Sequence, residues 1–369
     1  MNSNFLSMGN KCREFEKEFS KIQERKYSVF VNSGSSANLA LIQSLINIGK
    51  LSIGDKVGFS ALTWATNVMP LIQLGLTPVP IDCEIGTLNI SSSKIQEVIL
   101  QDDIKCLFIT NVLGFSDDIN LIKELCEKNN ILLIEDNCES LGSELNNIKL
   151  GNFGLASTFS FFVGHHLSTI EGGMIATDSE ELYHQLLMVR AHGWSRDLGN
   201  NEKIKLGNKY DVNDFYSRYT FYDLAYNLRP TEINGFIGIT QIKFWDEVVE
   251  KRQNNFLYAL RIMEKYNFIN KLELSHMNKI SNFAVPVICK NSHIADELKD
   301  KFQKNNIEIR PIISGNIYNQ PFFMKYKDKD YFLPNSELIH SNGFYFGNNH
   351  NIISEEYNKI DDILQTINL

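Results

Sequence analysis

The stretch Ile131-Leu132-Leu133-Ile134-Glu135-Asp136-Asn137-Cys138-Glu139-Ser140 decides how this chain is read. Its apolar run followed at once by acids predicts a short buried strand ending in a carboxylate. Similar short runs are found at 27–31, 56–60, 78–81, 104–110, 157–161 and 174–177. Several are separated by helix-period segments at 37–46, 118–128 and 179–190, for which Ser36, Asp117 and Asp178 are the expected caps. Strands alternating with helices predict an α/β fold with helices on both faces of the sheet. In such a sheet ligands bind at the carboxyl ends of the strands, where Asp136 falls.

From about Phe244 the texture changes. A charged helix over 245–266, strand-like runs at 283–288 and 307–313 and a helix over 292–305 predict a small C-terminal α+β domain. The expected division is a large domain of 1–243 and a small one of 244–369 that includes the connecting helix.

Of the 369 residues, 43% are hydrophobic and 22% charged, the composition of an ordinary globular enzyme. A formal charge of -8 disfavours a nucleic-acid surface. No apolar run reaches the roughly 20 residues of a membrane helix. Lys11, Arg13, Glu14 and Glu16 also fall where a signal peptide would be apolar. A cytoplasmic protein with neither membrane nor nucleic-acid partner is expected. Cys12, Cys83, Cys106, Cys126, Cys138 and Cys289 show no Cys-x-x-Cys spacing, so reduced thiols are expected.

Several motifs carry possible chemistry. Asn32-Ser33-Gly34-Ser35-Ser36 follows a strand and opens a helix, so the amides and hydroxyls of Ser35 and Ser36 can converge on a phosphate; alone, it reads equally as a capped turn. Asp136 and Glu139 can be ligand carboxylates or a helix cap. Trp64 follows the strand ending at Ser60 and is either a platform or core. His165 and His166 follow Gly164 without further ligands at metal spacing, which argues against a metal site. Arg229 and Arg310 can bind phosphate oxygens in a bidentate fork or form structural ion pairs.

Five blocks in order resemble one family. They are Asn32 to Asn38, Leu133 to Ser140, the loop Ser160-Phe-Phe-Val-Gly-His165-His166-Leu-Ser-Thr-Ile-Glu-Gly-Gly173, Arg190-Ala-His192-Gly-Trp194, and Tyr226-Asn227-Leu-Arg229-Pro230. Nearly the whole chain is similar to the DegT/DnrJ/EryC1/StrS sugar aminotransferases. The resemblance implies an aspartate-aminotransferase-like, fold-type I large domain with a mixed, mostly parallel sheet. In most of that family a lysine of the 160–173 loop bonds the pyridoxal phosphate aldehyde. Here His165 stands in its place, and imidazole can act only as acid or base. The branch that shares the His-His and Glu-Gly-Gly pattern is that of the GDP-4-keto-6-deoxymannose 3-dehydratases.

The resemblance assigns each residue a role. Ser35, Ser36 and Ser160 meet the cofactor phosphate, Trp64 stacks on its ring, Asp136 pairs with its ring nitrogen and Glu139 meets its ring hydroxyl. Asn227 reaches the phosphate of a neighbouring subunit, so a homodimer with a shared site is implied. His192, Arg229 and Arg310 are the substrate candidates, and His166 is structural or a cofactor-side contact. Segment 343–350 faces the site. Relatives carry a further helix ahead of Met8-Gly9, so a truncated start or a differently built entrance is expected. Related 3-dehydratases of CDP sugars add a four-cysteine iron–sulfur cluster downstream of the histidine, where this chain has only Cys289; no such cluster is expected.

The implied reaction is removal of the 3-hydroxyl of a nucleotide-linked 4-keto-6-deoxy sugar, hexose or heptose, with GDP preferred. Pyridoxal and pyridoxamine phosphate are held without a covalent bond, L-glutamate supplies the amine and ammonia is released. An aminotransferase that leaves nitrogen on the sugar, and a non-catalytic binder of the same fold, are the alternatives. Because an unperturbed imidazole titrates near about 6.5, both proton states of His165 are expected near neutrality.

Overall fold

The computed structural model describes residues 6–367. Thirteen strands run in chain order: β1 Tyr27–Val31, β2 Lys56–Ser60, β3 Thr77–Ile81, β4 Ile104–Thr110, β5 Leu132–Asp136, β6 Glu144–Leu145, β7 Ile148–Lys149, β8 Ala156–Ser160, β9 Gly173–Thr177, β10 Met277–Lys279, β11 Ala284–Ile288, β12 Ile309–Arg310 and β13 Gly343–Gly347. Seven form the main sheet in the order β1-β9-β8-β5-β4-β2-β3. Only β9 runs antiparallel, pairing with both β1 and β8. The other six therefore point their carboxyl ends to one edge, and the amino end of β9 joins them there. The loop from Ser160 to Gly173 consequently starts and finishes at that edge, with His165 between.

The seven strands of the main sheet read as expected to within one residue at each end, because buried strands are near-continuous apolar runs, whereas the short β6, β7 and β10 gave no such signal. Helix starts were displaced. The helix Gly34–Asn47 is capped by Ser33, whose hydroxyl accepts the Ser36 amide, in place of the expected Ser36. Ser179 caps Glu180–Arg190 by accepting the Leu182 amide, while Asp178 instead pairs with Arg25. Asp118 takes the cap position of Ile119–Lys128 in place of Asp117, whose carboxylate accepts from the Thr87 hydroxyl and the Asp118 amide.

One layer of core lies between the sheet and the helices Gly34–Asn47 and Glu180–Arg190, centred on Leu41, Phe108 and Leu186. A separate aromatic group, Phe15, Phe19, Phe30, Phe159, Phe161 and Trp245, packs the first helix, Asn10–Gln23, under the His165 loop. The ring centroids of Phe15 and Phe161 are 5.0 Å apart, so the loop leaves Ser160 from a rigid base. On the opposite face one continuous core joins Leu107 and Ile109 of the main sheet to Phe256 of the long helix Trp245–Met263 and Phe344 of β13.

The small sheet has the order β11-β13-β12 and is flanked by the helix Ser292–Lys304. The expected strand 307–313 shrinks to Ile309–Arg310. Pro311 lacks an amide for the ladder and Ile313 takes a left-handed φ of 49°, so pairing stops. Among the described residues no helix is long and apolar enough to cross a membrane.

Candidate active site

A cleft of about 1060 Å³ opens at the carboxyl edge of the main sheet and extends beneath the small sheet. Ser35, Trp64, Asp136, Glu139, Ser160, His165 and Arg310 all line it. They come from the carboxyl ends of β5 and β8, from segments that follow β1, β2, β5 and β8, and from β12, so convergence here is a product of topology.

Close backbone approach builds one end of the cleft. A Cβ on Gly34 would stand 2.7 Å from the Ser160 Cβ, and one on Gly173 would stand 2.2 Å from the Ser33 carbonyl oxygen. Only glycine lets the helix N-terminus settle onto the ends of β8 and β9. The first-turn amides of that helix have no intrahelical acceptor, and the helix dipole favours an anion there. Ser35 is exposed, and Ser160 accepts the Phe162 amide at 3.3 Å while retaining its own hydroxyl proton for donation. Ser36 does not line the cleft; its amide and hydroxyl are engaged by Ser33.

Asp136 forms the floor. Asn38 Nδ2 and Asn67 Nδ2 donate to its Oδ2 at 2.9 and 2.7 Å, and the Cys138 amide donates to Oδ1 at 2.8 Å. Thr158 in turn donates to Asn38 Oδ1 at 2.6 Å, fixing the amide orientation. Neither asparagine was singled out from sequence. Asn38 sits inside the quoted 32–38 block, but Asn67, remote in sequence, gave no signal. The Leu113 amide donates to Glu139 Oε2 at 2.8 Å, yet burial pushes that carboxyl up to about 8, with the Asp136 charge adding to the effect. At neutral pH Glu139 can therefore donate a hydrogen bond. Trp64 caps a single 3₁₀ turn and leaves 55% of its surface exposed at the cleft, as a stacking platform requires.

His165 is half-buried, with Phe283 at a ring-centroid distance of 5.4 Å and Phe162 at 6.0 Å. Its Nδ1 is buried without a partner. Burial pushes the imidazole down to about 4; a hydrogen bond with the Ser160 backbone and then the Asp136 charge oppose the fall, and the nearby Arg252 charge adds to it. This corrects the expectation of two accessible states: the resting ring at neutral pH is the neutral base. His166 turns away, its Nε2 3.1 Å from the Ser281 carbonyl, and it does not line the cleft.

Three expected residues lie elsewhere in the single chain. Asn227 and Arg229 bond to each other at 2.8 Å, and His192 packs against Trp194 with ring centroids 4.9 Å apart; none lines the cleft. The segment holding Asn227 is nevertheless next to the phosphate-like turn, because the Asn32 amide donates to the Leu228 carbonyl at 3.0 Å. Arg310 does line the cleft, with its guanidinium paired to Glu308. Arg252, on the long helix, and Tyr345 also line it and were missed, since nothing local marks a residue of a charged helix or a strand as facing a distant site.

These features fit pyridoxal phosphate: an anion seat at the helix N-terminus, an aromatic platform, and a carboxylate held at the floor for a ring nitrogen. A profile of one family matches residues 1–365. The chain belongs to the DegT/DnrJ/EryC1/StrS aminotransferase family. Its fold is that of the family's fold-type I enzymes. A GDP-4-keto-6-deoxy-D-mannose 3-dehydratase from Yersinia pseudotuberculosis is 35% identical, over 99% of this chain and 93% of the relative. The Escherichia coli GDP-4-keto-6-deoxy-D-mannose-3-dehydratase with bound hydrated pyridoxal phosphate superposes with a TM-score of 0.90 at 34% identity, covering 97% of this chain and 92% of that one. A second structure of a GDP-4-keto-6-deoxymannose-3-dehydratase, with a trapped pyridoxal phosphate–glutamate geminal diamine, gives 0.91 at 34%, covering 98% and 94%.

Proposed function

We propose that this chain is a pyridoxamine phosphate-dependent 3-dehydratase of a GDP-linked 4-keto-6-deoxy sugar, with L-glutamate as the amine donor and ammonia released. The observation that carries the reading is His165, a neutral imidazole at the mouth of the cofactor-shaped cleft in a loop without lysine. The names of the similar proteins support the GDP sugar, and the glutamate adduct of one supports the donor.

When bound, the cofactor supplies an amine for the keto group and a ring that accepts electrons. The chain does the rest. Ser35, Ser160 and the helix N-terminus bind the phosphate. Asp136, fixed by Asn38 and Asn67, would pair with the ring nitrogen, and Trp64 would stack on the ring. A ring nitrogen of His165 would serve as the base for the proton that the cofactor's chemistry releases. The imidazolium so formed delivers a proton to the departing 3-hydroxyl, which leaves as water. A lysine here would recapture the cofactor covalently, whereas imidazole leaves it free. Arg310 is the substrate-side cation, once it exchanges Glu308 for an anionic group of the sugar nucleotide.

We further propose a homodimer in which Asn227 binds the phosphate of the facing copy, with Arg229 and His192 nearby. The exposed run of Phe215, Tyr216, Tyr219, Phe221 and Leu224 just ahead of Asn227 supports this, since contiguous apolar surface of that kind marks an interface.

The deciding experiment incubates the protein with pyridoxal phosphate, nitrogen-labelled glutamate and GDP-4-keto-6-deoxymannose. A product lacking the 3-oxygen, with label in ammonia, is expected. A labelled amino sugar that keeps the oxygen would make the protein an aminotransferase, and the absence of label from pyridoxamine phosphate, ammonia and sugar alike would make it a non-catalytic binder.

A further inference from the structure

Arg252 is 3% exposed, yet among the described residues no carboxylate lies within ion-pair distance of it. A buried guanidinium is costly unless paired, so its retention calls for a reason. Its hydrogen bonds go to backbone carbonyls: Nη1 donates to Asn282 and Asn348, and Nη2 donates to His165 at 3.2 Å. Asn348 closes the arrangement, its Nδ2 donating to the Arg252 carbonyl at 2.9 Å and to Asn282 Oδ1 at 2.6 Å. The guanidinium thus ties the long helix and the segments around Asn282 and Asn348 to the backbone of the histidine at the cleft.

We propose that Arg252 is a positioning residue for the dehydration: its fork holds the His165 backbone in place, and its positive charge, which no carboxylate neutralises, faces the same loop. The charged and titratable groups around the ring divide clearly. The Ser160 backbone and Asp136, at the end of β5, favour a proton on it, while Arg252 adds to the burial that disfavours one; on the same loop His166 is itself lowered by Arg252 and by His165. Glu139 and Glu171 line the same cleft, and His350 and Tyr357 adjoin Arg252. Carbonyl acceptors leave the arginine's formal charge unneutralised, whereas a carboxylate partner would have cancelled its effect on the imidazole.

The proposal rests on the dehydratase reading only for its effect on rate; the titration of His165 is a property of the protein itself. Histidine-labelled protein, with the His165 resonance assigned by its loss in His165→Asn, is titrated by NMR as wild type, Arg252→Gln and Arg252→Lys. In Arg252→Gln the His165 midpoint should rise by a few tenths of a pH unit while staying below that of free histidine, because burial remains, and the acidic limb of kcat should move up with it. In Arg252→Lys the charge stays but the fork is lost, so the midpoint should hold while kcat falls about tenfold with KM little changed. A folded Arg252→Gln whose His165 midpoint matches wild type overturns the electrostatic role. If Arg252→Gln does not fold, Arg252→Lys decides: wild-type kcat would overturn the positioning role, and a midpoint raised toward that of free histidine would overturn the electrostatic one. Loss of stability with an unchanged pH profile would reduce Arg252 to a structural strap.

Discussion

Asn38, one turn into the helix Gly34–Asn47, donates to Asp136 Oδ2 at 2.9 Å and so couples the anion seat at the helix N-terminus to the carboxylate at the end of β5. Asn67 shares that oxygen and the Cys138 amide holds the other, so removing Asn38 leaves Asp136 with one anchor fewer on Oδ2. Asn38→Ala is expected to weaken pyridoxal phosphate about tenfold, about 1.4 kcal/mol, read by quenching of tryptophan fluorescence. Unchanged affinity would show that Asn67 and the Cys138 amide suffice.

His165→Asn should keep cofactor affinity within a few-fold and abolish release of labelled ammonia. His165→Lys should bond the cofactor covalently, seen as a borohydride-fixed mass increase on the peptide carrying residue 165. Attachment at Lys359 instead, the lysine among the described lining residues, would mean that the loop does not present its side chain to the aldehyde.

Acid stability should report the two histidines. Burial pushes His165 down to about 4 and His166 well below the ordinary value. The unfolded chain, with histidines near about 6.5, then binds more protons than the folded one below that pH. Their contribution is fully present above about pH 6.5 and is lost as pH falls toward 4, by up to about 1.4 kcal/mol per unit for each histidine. Urea midpoints measured between about pH 8 and pH 5 should decline at the acid end, and less steeply in His166→Gln.

A shared site can be tested by mixing. His165→Asn and Asn227→Ala should each be inactive as homodimers. Each mixed dimer holds one site with both wild-type residues, so subunit exchange at equal amounts should restore up to about a quarter of wild-type activity. No recovery after exchange proven by mass would place Asn227 in its own chain's machinery or outside it altogether.

Gly173→Ala sets a methyl group against the Ser33 carbonyl, which Cβ geometry puts at 2.2 Å. The helix N-terminus must move off β9, and the expected result is lost phosphate affinity before lost folding. Titration with inorganic phosphate and a thermal melt separate the two; a lower midpoint with normal phosphate affinity would make this glycine purely structural.

The sequence by itself determined the alternation of strands and helices, because buried parallel strands are short apolar runs and their period is visible locally. It also placed Asp136 and the His165 loop at strand ends, where a chemically odd residue among familiar blocks stands out. Helix caps slipped because Ser33 and Ser36, or Asp178 and Ser179, are equally good caps on paper, and only the partners of each side chain decide between them. Tertiary structure alone decided that Asn67 and Arg252 belong to the site, since each is remote in sequence from the residue it holds. It also decided the resting state of His165. A pKa is set by burial and by charges arriving from other elements, and the order of residues along the chain does not encode those distances.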